Sequence, residues 1–214
     1  MKRILITLLW TCFFLEGIVS HTCRGETVFR RYQVESGIIE YSVRGAKNGK
    51  EVVYFDQWGM REAKYSTIIE NGFQQNHLMN LQDKEWTYII DFDKRIANKR
   101  QNENIKKFFE DVDREAVVDM TPLLMASQGA EKLYLDMFNG NECDVWVVEK
   151  TGTEIWLWKG IVVKKVDKKK GHITIYEAIK IEADVPVPEQ KFLIPENIYF
   201  MTEDIRTIVL SMNF

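Results

Sequence analysis

The side chains that could do acid–base, nucleophilic or metal chemistry are scattered along this chain rather than gathered into motifs. His77 and His172 lie far apart, and neither has a metal-ligand companion two, three or four residues on. The third histidine, His21, stands near the start. A glycine-rich phosphate loop, a Gly-x-Ser-x-Gly elbow and a Cys-x-x-Cys pair are all missing. Carboxylates are plentiful, but Glu40, Glu62, Asp91, Asp111, Asp113 and Glu154 fall where solvated strand and helix faces are expected. The chain is therefore expected to be non-enzymatic, with no cofactor and no metal.

Its aromatics offer a different chemistry. Trp58, Trp86, Trp146, Trp156 and Trp158 join Tyr41, Tyr54, Phe55, Tyr65, Tyr88, Phe92 and Tyr134. With Met79, Met120, Met125 and Met137 they either fill a core or line a soft apolar cavity. The expected lining is Tyr41, Phe55, Trp86, Tyr88 and Ile90 from strands, with Phe109, Leu124 and Met125 from helices. A one-residue register slip would exchange each strand member for its neighbour.

Strands must position most of these. Ile39, Tyr41 and Val43 alternate with Glu40, Ser42 and Arg44, and Lys47-Asn48-Gly49-Lys50 reads as a hairpin turn. Strands are expected at 51–55, 60–66, 77–82 and 86–92. The spacing then turns helical over 104–118 and 120–139, with Pro122 at a first helical position and Asn139-Gly140 as a stop. Strands resume at 142–149, 154–158, 161–166 and 172–181. The run Lys164 to Lys170, followed by Gly171, reads as a solvated hairpin tip or, more weakly, an anionic-lipid patch. Pro186, Pro188 and Pro195 end the meander, and 198–214 fits a strand or a helix equally.

A sheet with one apolar face has to cover it. The expected fold is α+β: a strongly curved antiparallel sheet, an incomplete barrel, wrapped around one or two mid-chain helices. Residues 21–214 form a single domain in this reading.

The chain has 214 residues, 45% of them hydrophobic and 29% charged, as in ordinary globular proteins. Lys2-Arg3, an apolar run from Ile4 to Leu15 and the small residue Ser20 make residues 1–20 read as a secretory signal peptide. Its core of about 12 residues is too short to span a bilayer as a helix. Removing Lys2, Arg3 and Glu16 with it takes the formal charge from -3 to -4. That acidity argues against nucleic acid as a partner. Cys23 and Cys143 would remain, and an oxidising compartment permits a disulfide between them, worth up to about 4 kcal/mol in the chain-entropy model. Alternatively Cys143 is a buried apolar residue and Cys23 is free or lipid-modified.

Three segments carry a resemblance. They are Tyr54 to Tyr65, with Asp56, Gly59 and Arg61-Glu62; Asn141 to Trp146 followed by Trp156 to Ile161; and Pro188 to Ile198. Together they resemble an uncharacterised exported branch of the bacterial LolA/LolB-like lipoprotein-carrier superfamily. The resemblance implies an incomplete antiparallel barrel with a helical lid, a periplasmic location and acyl chains held between sheet and helices. The expected function is thus a monomeric, non-enzymatic carrier or sensor of a lipid or other apolar ligand. A second reading is an envelope interaction module with a filled core, docking a partner protein through a sheet edge or exposed aromatics. A third is an outer-membrane barrel, read from Ile208, Leu210, Met212 and Phe214 alternating at the end; charge-rich strands and central helices count against it.

Overall fold

A computed structural model describes residues 28–70, 72, 74–111, 117–169 and 171–201. Residues 1–20 (the expected signal peptide), Cys23 and most of the final alternating segment lie outside the described residues. Strand dominates what is described, because period-two runs recur between short turns. The chain opens with β1 (Val28–Arg30), and six strands then form a consecutive antiparallel meander. They are β2 (Gly37–Gly45), β3 (Lys47–Asp56), β4 (Arg61–Glu70), β5 (Gln74–Asp83), β6 (Trp86–Asp91) and β7 (Ile96–Gln101). Next come α1 (Glu103–Asp111), β8 (Val117–Asp119) and α2 (Thr121–Ser127). A second meander follows: β9 (Ala130–Phe138), β10 (Asn141–Val148), β11 (Thr153–Trp158), β12 (Ile161–Lys169) and β13 (His172–Ala183). The two-residue β14 (Tyr199–Phe200) ends it.

The two meanders join where β13 pairs with β2, giving one open sheet of 12 strands with β14 at one edge and β9 at the other. It is an α+β half-barrel, not a closed one. The link from β7 to β9 has to travel from one end of this sheet to the other, and α1 and α2 lie on that path. Met120 N–H donates to Arg30 O at 2.7 Å and the Thr121 hydroxyl to Arg31 O at 3.1 Å, so the crossing is tied to the segment after β1. The parallel β1–β8 pair adds to that tie.

Both faces of the sheet are covered. Directly paired residues share a face. On one face Ile39, Tyr41, Val53 and Phe55 join Ala178 and Ile181. Tyr32 and Val34, from the segment between β1 and β2, pack onto them. The Tyr32 and Phe55 rings meet at 4.7 Å. Gly37 makes room for Phe55, since a Cβ there would lie 2.8 Å from the ring. On the other face, Tyr54, Ala63, Leu81 and Tyr88 form one row across the strands, and Tyr65, Met79, Ile90 and Ala97 form the next. The Pro-rich segment 186–198 straps this face with Val187, Phe192, Ile194 and Ile198. The helices are therefore joined by two further covers that the sequence pattern did not announce.

Three local expectations are corrected. Asn48-Gly49 lies within β3 instead of at the turn; Gly49 (φ +153°) sits where a Cβ would strike Thr67 O. The second helix ends at Ser127, and residues 130–138 are strand β9. Asn139 (φ 49°) and Gly140 (φ 79°) consequently turn a hairpin into β10 and do not stop a helix.

Candidate functional site

Three concavities border the face that carries Phe55. The most apolar measures about 390 Å³, lined by Val28, Phe29, Gln57, Trp58, Met60, Lys84 and Phe109. Its floor is the turn between β3 and β4. Gln57 (φ 51°), Trp58 (φ 55°) and Gly59 (φ 78°) all hold left-handed backbone there. For the first two this costs free energy that the surroundings must overcome. Three backbone bonds do so: Trp58 O accepts from Arg31 and Tyr32 N–H, both at 2.9 Å, and Trp58 N–H donates to Glu35 O at 2.8 Å. Gly59 lies under the Tyr32 ring, where any Cβ would clash. The Arg30 guanidinium stands 5.1 Å from the Trp58 ring centre. Opposite, α1 contributes Phe109, whose ring meets Phe29 of β1 at 4.5 Å. A smaller cavity of about 50 Å³ shares Met60 and Lys84 with this pocket and adds Ile105, Met120 and Leu124.

The second concavity, about 200 Å³, is polar and lies between Tyr41, Glu51, Glu62, Lys64, Lys165 and Tyr176. Arg31 Nη1 is 3.2 Å from Glu62 Oε2, and the Tyr32 hydroxyl donates to the same carboxylate. Burial disfavours the Arg31 cation, but Glu62 together with Tyr32 and Tyr41 more than offsets this and holds its pKa above the ordinary value. Burial also raises Tyr32 and Tyr41, and it pushes Tyr176 up to about 12. The Tyr41 hydroxyl donates to Val162 O at 2.7 Å. That last bond ties the first meander to the second, and the Glu62 contacts tie the segment after β1 to β4.

The third, about 480 Å³, lies over the far strands. Here Glu62, Gln82, Thr87 and Arg100 form one polar row, and Lys64, Asn80, Ile89 and Asn98 the next.

The eight expected lining residues do not share one cavity. Tyr41 and Phe55 are buried on one face, whereas Tyr88 and Ile90 belong to the other. Trp86 lies with Tyr88, and the Lys99 ammonium covers both rings at 3.9 and 5.5 Å. Phe55 and Ile90, at 0% exposure, are core. Met125 packs against Ala130, Ile155 and Leu157. Phe109 lines the apolar pocket and Leu124 the cavity beside it. Val28, Phe29, Trp58 and Met60 were missed as lining. The one sequence signal for them was Trp58-Gly59 between two strands, since a bulky aromatic before a glycine marks a turn that exposes it.

Cys143 is buried on β10, its thiol 3.4 Å from Asn141 O. His77 Nδ1 sits 2.8 Å from Asp93 Oδ1 and clamps the β6–β7 turn to β5. Among the described residues no group of three or more His, Cys, Asp or Glu is placed to hold a metal, and no helix is long and apolar enough to cross a membrane.

No protein-family model matches the chain, and no curated protein matches it significantly. Solved structures do. One is an uncharacterized conserved protein from Thermus thermophilus, with TM-score 0.48, 8% identity, and coverage of 77% of this chain and 89% of that one. Another is a chain of the Pseudomonas aeruginosa MucA/MucB complex, with TM-score 0.44, 11% identity and 80% of this chain covered; this chain spans only 59% of that one. A third is an outer membrane lipoprotein-sorting protein domain from Vibrio parahaemolyticus, with TM-score 0.35, 8% identity, and coverage of 76% and 91%. A lipoprotein-sorting domain, the group that the three sequence segments resemble, is thus among the structural neighbours. At these identities the likeness concerns the fold.

Proposed function

We propose that this chain is an exported, non-enzymatic binding protein that holds one apolar chain, of a lipid or acyl group, in the pocket between β1, α1 and the Gln57–Met60 turn. The observation that carries the reading is the lining itself: Val28, Phe29, Trp58, Met60 and Phe109 around about 390 Å³. That volume falls within the range of small-ligand sites. Transfer of an acyl chain from water into such a lining gains about 0.8 kcal/mol per methylene. The costly left-handed backbone at Gln57 and Trp58 places an indole in the pocket wall, where it would meet the ligand. Lys84, at the rim, offers a cation to an anionic end group. In this reading the signal peptide delivers the protein to the periplasm, and the filled core beneath Tyr32 is scaffold.

Trp58 supplies the test. Titration with a lysophospholipid below its micelle concentration shifts indole fluorescence in the wild type. The shift is lost in Trp58→Phe, and affinity drops in Phe109→Asp while the circular dichroism spectrum is kept. Absence of saturable binding, or equal binding by Phe109→Asp, would contradict the reading.

A further inference from the structure

We propose that β9 is a docking edge for an extended, basic segment of another protein, which adds to the sheet as a further strand. Sheets guard their edges, because a free row of N–H and C=O groups templates pairing with another chain. Here the β14 edge is only two residues long, whereas β9 has nine residues and ends the sheet on the other side. Leu133, Tyr134, Leu135 and Met137 along β9 are 56, 52, 55 and 61% exposed. Apolar side chains therefore project from both faces of this edge, since Tyr134 and Leu135 are consecutive.

The surrounding charge selects the occupant. Glu131 and Asp136 lie on β9, and Glu142 and Asp144 on the adjacent β10. Against them stand Lys132, already held by Asp144 at 2.7 Å, and Lys164, turned onto the Trp156 ring. A second copy of this chain would bring two acid-rich edges together, which is repulsive. A strand that alternates apolar residues with Lys or Arg matches both the exposed side chains and the excess of carboxylates. One backbone group at this strand already has a substitute partner: Met137 N–H donates to Asp136 Oδ1 at 2.8 Å. An incoming carbonyl can accept that N–H and release Oδ1 for a basic side chain, while Oδ2 keeps its bond from Trp156 Nε1 at 3.2 Å.

The test uses the full chain after signal removal and two fluorescein-labelled peptides of β9's length, one alternating Val with Lys and one Val with Glu. The Val-Lys peptide is expected to bind, more weakly as salt rises, and the Val-Glu peptide not to bind. Leu135→Pro removes an N–H facing the same way as that of Met137, a substitution that free edges tolerate. Glu142→Lys reverses one charge without touching that backbone. Each is expected to weaken Val-Lys binding by about tenfold or more. No binding, binding of both peptides alike, or unchanged binding by both variants would overturn the proposal. So would protection of the outward-facing Leu135 amide from hydrogen exchange without peptide, which would assign the edge to this chain's own undescribed segments. A dimer dispersed by Leu135→Pro would assign it to a second copy and overturn it as well.

Discussion

Arg61 stands over the Phe192 ring at 4.3 Å while its guanidinium clasps the Glu189 carboxylate. The two contacts fasten the C-terminal strap to β4, across the face that buries Met79 and Ile90. The Tyr65 hydroxyl adds a third point, donating to Lys191 O at 2.8 Å. Arg61→Ala removes both the stacking and the ion pair, with an expected loss of about 1–2 kcal/mol in urea unfolding. Arg61→Lys should recover only part of this, because an ammonium neither stacks as a plane nor binds a carboxylate with two parallel bonds. Full recovery by lysine would mean that charge alone fastens the strap.

The same contact makes stability depend on pH. The Arg61 hydrogen bond holds the Glu189 carboxyl below its ordinary pKa. A group depressed in the folded state contributes stability above its unfolded pKa and loses it as pH falls through the folded one. Asp56, beside Arg61, has the opposite sign: burial raises its pKa, so its contribution is lost as pH rises. Its Oδ1 is buried without a partner among the described residues. Glu189→Gln should therefore flatten the acid limb of a stability–pH curve. Asp56→Asn should keep or raise stability at neutral pH. Chemical denaturation across the carboxylate range checks both slopes.

Alkaline titration reads the interior between the two meanders. Burial raises the pKa of Tyr32 and Tyr41, and takes Tyr176 to about 12. These groups favour the folded state until pH exceeds the ordinary tyrosine value, and that contribution is then lost. Phenolate absorbance should accordingly show a late cooperative step, coincident with unfolding, from these buried tyrosines. Tyr41→Phe should shrink that step and unlink Val162. A single non-cooperative rise would contradict this packing.

Phe55, at 0% exposure, touches Tyr32 and fills the space left by Gly37. Phe55→Ala should cost about 3–5 kcal/mol, whereas Ile90→Val on the other face should cost about 0.5–1.5 kcal/mol. Gly59→Ala combines a positive φ with a clash against Tyr32, and should loosen the floor of the apolar pocket. Thermal melts with and without lysophospholipid separate the effects on fold and pocket.

The strands that alternate buried and exposed residues were legible. Gly37 to Gly45 and residues 142–149, 154–158 and 172–181 fall close to the observed elements because one face of each is held against a core. β9 reads falsely as helix because seven of its nine residues are exposed, so no buried face imposes a period of two. Leu133, Leu135 and Phe138 then pass for a helical stripe, and Asn139-Gly140 for its stop. β7 escapes the pattern for a related reason: only Ala97 is buried in it. The strap was illegible because proline-rich chain has no period, although Phe192 is 3% exposed. The expected lining is divided between two faces for a topological reason. It puts Tyr41 and Ile90 on one apolar face, but the sheet buries both of its faces, and pattern within a strand does not say which face its neighbours share.

The central claim, an apolar chain held beside Trp58 and Phe109, is tested most directly by native mass spectrometry of the full chain exported to a periplasm and purified without detergent. The account predicts an added mass that extracts into organic solvent as a single-chain lipid or acyl species. It also predicts that Phe109→Asp emerges folded and bare. A bare wild-type mass, with no lysophospholipid adduct on addition, would contradict it.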